Sequence, residues 1–360
     1  MENFIIHTGS IVKEYLDARS ISQRDLARST GVTEKHISNV LNGKARLTEE
    51  MALKLEKVMP EIPAGYWINY EAKYREYIAR QAEETEIGSL DLKAIAKRFH
   101  FKEVFKGSDL NPTEMALEML KLLNISSFDC ARDAFKHLSV AYMEDGGDAE
   151  AQIVWLQLCR REIDAQNPPL DDTPFDLQAL KKNLEVLRYI SLDKDRDMAI
   201  EGIREFLNEH GVYLAIRDQI TNCKVRGALV AHYHHPAVLL SNRFHRHDFF
   251  WFALAHEIGH LMLHYDGNDH VDLGEDDDYV VNAESADDPE TEANRYARGF
   301  FIDRPIYERF RDSITGNEPT SREIREFAAQ NLVDPGIVRG FLQHDAIIKH
   351  NQLTELTTKW

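Results

Sequence analysis

Apolar residues in the first 60 positions fall at helical spacing in short blocks, and each block is bounded by residues that start or stop helices. Ser22 precedes the block Gln23 to Ser29, Gly31 follows it, Thr33 precedes Glu34 to Leu41, and Asn42-Gly43 closes that second block. The Ser22 and Thr33 hydroxyls can accept from the first unbonded helical N–H groups, and glycine tolerates the left-handed residue that ends a helix. Thr48 offers the same cap to TEEMALKLEKVM. Leu26, Ala27, Val32, Ile37 and Val40 supply the apolar contacts that lock the first two blocks together. Two short helices joined by a glycine-containing turn predict a helix-turn-helix, whose second helix enters the major groove of DNA.

From residue 76 to about 200 the pattern is a succession of amphipathic helices, among them PTEMALEMLKLLNI, VWLQLCRREIDAQ and FDLQALKKNLEVLRYI. Pro168-Pro169 and the charged run from Asp193 to Asp197 punctuate it. No catalytic constellation is visible there, and the segment reads as a helical connector. After residue 200 a helix, AIEGIREFLNEHG, gives way to strand-like VYLAIRD, KVRGALVAHY and AVLLS. Helices with a small antiparallel sheet predict an α+β domain. The expected architecture is therefore multidomain: an all-α helix-turn-helix domain over 1–75, a helical connector over 76–200, and an α+β domain over 201–360, expected to be zincin-like because it contains His256-Glu257-Ile258-Gly259-His260.

Composition changes this picture in two places. With 43% hydrophobic and 29% charged residues the chain is ordinary globular protein. No stretch approaches the roughly 18 apolar residues of a membrane span, so a soluble, cytoplasmic protein with no membrane partner is expected. Cys130, Cys159 and Cys223 have no CxxC spacing, which fits reduced thiols and no cysteine metal site. The net charge of −18 is unevenly distributed. Residues 1–60 hold nine Lys/Arg and eight Asp/Glu, so they contribute about +1 and the remainder about −19. Contact with a polyanion is confined by this charge to the N-terminus.

The strongest chemical signal is FFWFALAHEIGHLMLH, residues 249–264, an apolar helix interrupted by His256, Glu257 and His260. Buried polar groups require partners. Four residues apart, the two histidines lie about 40° apart around a helix on consecutive turns, so both imidazoles can meet one ion. Glu257, beside them, is positioned to accept a proton from a water at that ion. This is the HExxH arrangement of zinc metallopeptidases, and it makes Zn²⁺ the expected cofactor, with Glu257 as the catalytic base.

A catalytic zinc needs a third protein ligand. A histidine six residues beyond His260 is absent, because that position is Asp266; His264 reads as a supporting or structural residue. Downstream candidates are Glu275, Glu284, Glu290 and Glu292. The segment DDPETEANRYARGFFI predicts a helix capped by Asp288 with Pro289 in its first turn. Glu290 is explained by charge at a helix N-terminus. Glu292 borders the apolar stripe of Ala293, Tyr296, Ala297 and Phe300, in line with Gly299, which would let this helix approach the HExxH helix. Glu292 is therefore the expected third metal ligand, with Glu290 as the alternative. His232, His234, His235, His245 and His247 cluster in sequence without ligand spacing and read as a turn and loop; His344 reads as structural.

Residues 7 to about 75 resemble the XRE helix-turn-helix family, in particular its HigA/VapI antitoxin branch, including the aromatic follow-on GYWINYEAKY. The resemblance implies that Gln23 begins a helix abutting a phosphate. It implies too that Thr33, Glu34, Lys35, His36, Ser38 and Asn39 belong to the recognition helix, while Lys44 and Arg46 suit backbone phosphates. Weak positive charge makes a homodimer on a two-fold operator the expected route to specificity. Residues 205–345 resemble the ImmA/IrrE metallopeptidases through GALVAHYHHPAVLLSNR, FFWFALAHEIGHLMLH, ETEANRYARGFFI and DPGIVRGFLQHD. Tyr296 stands where phenylalanine is usual, and the loop Tyr265 to Asp287 is long and acidic.

Together these imply a DNA-binding transcriptional regulator with a zinc endopeptidase domain acting on a protein substrate, a repressor or antitoxin. AVLLS, if it lies at the sheet edge beside the helix, would bind that substrate as an added strand. The alternative is a non-catalytic, antitoxin-like repressor that binds its operator and a toxin partner, with the zinc domain as a sensor.

Overall fold

The computed structural model describes residues 5–135, 148–242, 245–267, 270–273, 289–314 and 319–360. The chain divides into two compact units, Met1–Leu92 with Asp109–Leu117, and Lys93–Ser108 with Glu118–Trp360. The stretch expected as a connector, 76–200, is thus shared between them. Among the described residues no helix is long and apolar enough to cross a membrane.

The first unit is helical: α1 (Thr8–Ala18), α2 (Gln23–Thr30), α3 (Glu34–Leu41), α4 (Glu49–Val58) and α5 (Ala64–Gly88). Its helix boundaries follow local chemistry. Ser22 accepts from the Asp25 N–H, Thr33 from the His36 N–H and Thr48 from the Met51 N–H, while Gly31 takes the left-handed conformation at φ +66°. Leu26, Ile37, Val40, Leu47, Met51 and Leu55 form the centre of the core. The core continues into α5 through Trp67, fully buried and edge-on to the Tyr15 ring with centroids 5.5 Å apart.

After α6 (Leu92–Arg98), α7 (Phe101–Val104), α8 (Pro112–Leu123) and α9 (Ala131–Ala134), the second unit continues through α10 (Ala149–Gln166), α11 (Leu177–Asn183), α12 (Glu185–Ile190) and α13 (Arg196–Glu209). Strands β1 (Tyr213–Arg217), β2 (Val225–His232) and β3 (His235–Ser241) precede α14 (His247–Leu263). Then come β4 (His270–Leu273), α15 (Pro289–Phe301), α16 (Arg304–Ile314), α17 (Ser321–Gln330) and α18 (Pro335–His344). The sheet has the order β1-β3-β2-β4.

Two expectations change here. The sheet is mixed, since β1 and β3 are parallel while β2 is antiparallel to both β3 and β4. AVLLS, within β3, is an interior strand and not an edge. The reason is its composition: Ala237, Val238, Leu239 and Leu240 are all fully buried, which requires cover on both faces and a neighbour on each side.

Helix α14 is apolar around its whole circumference, the signature of a helix enclosed by its own protein. It packs against β2, β3, α15 and α18. Trp251, Leu254, Ile258 and Leu261 share one core with Leu214, Leu229, Val238, Ala297 and Phe301. Leu180, Leu184, Leu187 and Ile203 belong to the same core, so α11 to α13 help to hold the helix that carries the chemistry. Asn167, just after α10, exchanges hydrogen bonds with both backbone groups of Leu214 on β1.

Candidate metal centre and helix-turn-helix face

His256 and His260 lie on consecutive turns of α14, both buried, with their Nε2 atoms 2.9 Å apart. Glu290, in the first turn of α15, brings Oε2 to 3.1 Å from His256 Nε2 and Oε1 to 3.2 Å from His260 Nε2. Burial works to raise the Glu290 carboxyl, but hydrogen bonds and charge from the two histidines outweigh it and hold the group well below the usual carboxylate range.

Glu290, not Glu292, is the carboxylate brought to the histidines, correcting the sequence-based choice. Positions 290 and 292 lie about 200° apart around a helix, so only one can face α14 at this level. Glu290 shares its face with Ala293, Asn294 and Ala297, and both alanines are fully buried. Glu292 turns instead to His264, just past the end of α14, with Oε2 at 2.9 Å from His264 Nε2. The close approach comes from Gly259 and not from Gly299. A Cβ on Gly259 would stand 3.2 Å from the Ala293 backbone and the Tyr296 ring, whereas one on Gly299 would meet open space. Burial pushes the Tyr296 hydroxyl up to about 12. Glu275, Glu284 and Asp288 lie outside the described residues.

One ligand atom from each of His256, His260 and Glu290 lies within 4.8 Å of the others, a group that could hold a metal ion. Donors about 2.0–2.1 Å from a shared tetrahedral ion stand about 3.3 Å from one another. The observed separations of 2.9 to 3.2 Å are close to that spacing. The far nitrogens are also engaged: His256 Nδ1 is 2.9 Å from Asn294 Oδ1, and His260 Nδ1 is 3.1 Å from His264 Nδ1. Asn294 follows Glu290 by four residues, so one face of α15 supplies both the carboxylate and the group that orients His256. The i, i+4 pair was legible in the sequence.

Glu257 is almost fully buried and points at β2. A Cβ on Gly227 would collide with Glu257 Oε1 and stand 2.8 Å from its Cδ, so only glycine leaves room for the carboxylate. Gly227 borders an irregularity in the β2–β4 pairing, between Val225 and Gly227, where a strand can bend away from a neighbour. Nothing in the sequence pattern singled out Gly227, because the contact depends on packing between remote elements.

The other histidines disperse into local structure. His232 pairs with Asp164, His235 Nδ1 is 3.0 Å from the Gly211 carbonyl, and His234 and His245 are exposed. His247 is fully buried, its Nε2 2.9 Å from the Ser191 carbonyl. His344 joins a network with Arg298, Asp345 and Tyr307. Burial alone would raise Asp345, yet its partners His344 and Arg298 hold it far below the ordinary range.

In the first unit, Ile37, Val40 and Leu41 bury one face of α3, and the opposite face is open. Gln23, Thr33, Glu34, Lys35, His36, Lys44 and Arg46 are exposed, and Ser38 and Asn39 are half-buried. Several already have partners. Thr33 serves as the α3 cap, Glu34 lies 3.5 Å from Arg24, Arg46 pairs with Glu49 at 3.0 Å, and the Asn42 amide donates to Ser38.

Residues 12–67 match the helix-turn-helix family HTH_3. Over 61 residues the chain is 41% identical to an HTH-type transcriptional regulator, YddM, of Escherichia coli (strain K12), covering 17% of this chain and 64% of that protein. It is 36% identical over 61 residues to an HTH-type transcriptional regulator of Haemophilus influenzae, 17% of this chain and 56% of the relative. Virulence-associated protein A' of Dichelobacter nodosus is 32% identical over 68 residues, 19% and 59% of the two chains. The chain thus spans about three fifths of the length of these curated relatives. The family match lies in the N-terminal region, each of these relatives matches under a fifth of this chain, and residues 12–67 are a DNA-binding helix-turn-helix domain of the XRE regulator type.

Proposed function

We propose that the chain couples a transcriptional regulator to a zinc-dependent endopeptidase, with His256, His260 and Glu290 as the metal-holding residues and Glu257 as the general base. The observation that carries this reading is the convergence of two imidazole nitrogens of the buried α14 with one carboxylate from the first turn of α15, and a fully buried carboxylate, Glu257, next in sequence to the first histidine. Two nitrogens and one carboxylate oxygen form the donor set of a catalytic zinc that keeps a fourth position for water. When bound, zinc supplies Lewis-acid activation of water and of a peptide carbonyl. Asn294 accepts from His256 Nδ1 and so turns Nε2 toward Glu290. Glu257, held against Gly227, takes the proton from the attacking water and returns it to the departing amine. The substrate is a regulatory protein, a repressor or an antitoxin, in keeping with the helix-turn-helix domain on the same chain.

For the N-terminal domain the reading is a homodimer on a two-fold operator. Lys35, His36, Ser38 and Asn39 of α3 would face base edges, Gln23, Lys44 and Arg46 would meet phosphates, and Thr33 and Glu34 would set the start of the helix.

The deciding experiment compares full-length wild type, Glu257→Gln and His256→Ala by elemental analysis and by quantitative proteomics of cells carrying each. Wild type and Glu257→Gln should each hold about one zinc, His256→Ala should hold none, and both variants should leave uncleaved a protein that wild type removes. A Glu257→Gln chain that acts as wild type, while His256→Ala alters repression, would replace catalysis with metal sensing.

A further inference from the structure

Beyond the three metal-holding residues lies a hydrogen-bonded pair that the proposed chemistry has not used. His260 Nδ1 is 3.1 Å from His264 Nδ1, and His264 Nε2 is 2.9 Å from Glu292 Oε2. The series runs from the buried centre outward: the side chains of His260, His264 and Glu292 are 3%, 13% and 42% exposed. We propose that Glu292 and His264 form a relay that fixes the tautomer and orientation of His260 for metal binding, with Glu292 acting on the ion only through His264. This rests on the metal-centre reading above.

The assignment of protons is what makes the pair a relay. If His260 presents Nε2 to the ion, its proton must sit on Nδ1, and a proton there needs an acceptor. The nearest ring atom is His264 Nδ1, which can accept only if His264 carries its own proton on Nε2. A carboxylate at 2.9 Å from Nε2 selects that tautomer. One arrangement therefore satisfies every nitrogen from His260 to Glu292.

The end of α14 makes the geometry available. His264 is the residue that closes the helix, at φ −125°, and the His260 carbonyl accepts from both the His264 and the Tyr265 N–H groups. Released from helical backbone geometry, the His264 ring lies beside His260, with centroids 5.3 Å apart. Partners of this kind commonly change metal affinity by about 10- to 100-fold when removed.

The test is the zinc dissociation constant of the full chain, measured by competition with a chromophoric chelator and accompanied by circular dichroism to follow the fold. Glu292→Ala and His264→Leu should each weaken zinc about 10- to 100-fold. The double variant should be no weaker than His264→Leu alone, because Glu292 works through His264. His264→Gln, whose carbonyl can accept from His260 while its amide donates to Glu292, should recover most of the affinity. Unchanged affinity in both single variants, losses that multiply in the double variant, or equal losses in His264→Leu and His264→Gln would each overturn the relay while leaving the metal centre standing. A wild-type chain that binds no zinc would overturn both.

Discussion

Helices α3 and α14 each carry the residues on which a proposed activity depends, and they do so under opposite conditions. On α3 the apolar residues occupy one face and the polar ones meet solvent, so Lys35 and His36 need no protein partner to stand where they do. On α14 the histidines are buried, and each is held by another group: His256 by Asn294 of α15, His247 by the Ser191 carbonyl, and His260 by His264 at the end of its own helix. The difference follows from the cost of burying polar atoms, which water offsets on a surface helix and only designed neighbours offset inside. Substitutions on α3 should therefore change recognition with little effect on folding, whereas substitutions around α14 should disturb folding and chemistry together.

The largest effect should come from the contact hidden behind the site. Gly227→Ala drives a methyl group into the Glu257 carboxylate, and should cost about 1–3 kcal/mol of stability in denaturant unfolding. It should also lower proteolysis by the roughly 10²–10⁴ expected for loss of a general base. Unaltered unfolding in this variant would show that the sheet yields easily, and would erase the contrast with α3.

Acid should separate the two regions next. Burial, aided by the nearby Lys194 charge, holds the His247 ring down at about 3, against about 6.5 in an unfolded chain. Between those values the unfolded chain takes up a proton that the folded chain refuses. Stability is thus fully present above about pH 6.5 and falls as pH drops toward 3, by at most about 1.4 kcal/mol per pH unit for this group. His247→Gln, which keeps a donor for the Ser191 carbonyl, should flatten that dependence; an identical slope in the variant would sink the assignment.

Local caps should matter less. Thr33→Ala removes the hydroxyl that receives the His36 N–H, at a cost of about 1 kcal/mol, with zinc content unchanged. Thermal unfolding followed alongside elemental analysis would reveal any wider damage. Smallest of all in stability is Lys44→Ala, expected within about 0.5 kcal/mol of wild type. Its effect should appear on DNA, as uniformly weaker binding with a salt-dependence slope reduced by about one. Loss confined to one base position would recast Lys44 as a base reader.

The first unit was readable because its determinants are near neighbours in the chain. A capping hydroxyl and the N–H it accepts are three residues apart, and the left-handed Gly31 lies one residue beyond the helix it ends. The boundaries read from the pattern agree closely with the observed helices. The HExxH pair was equally legible, since a helix fixes the relation of His256 to His260 whatever surrounds it.

The third carboxylate was not legible, and the reason is rotational. Sequence spacing fixed the relative angles of Glu290, Glu292 and Asn294 on α15, but not the angle at which α15 meets α14. That angle is set by the closeness that Gly259 allows to the Ala293 backbone, a contact across 34 residues. The interior position of β3, the glycine behind Glu257 and the His264–Glu292 pair likewise belong to packing between remote segments. By itself the sequence determined the helix-turn-helix, the helical pair of histidines and the charge asymmetry, because each arises from residues within a few turns or from simple counting. Only the tertiary structure decided which carboxylate meets the histidines and which strand lies inside the sheet, because those choices depend on how faces are turned toward one another when buried polar groups must find partners.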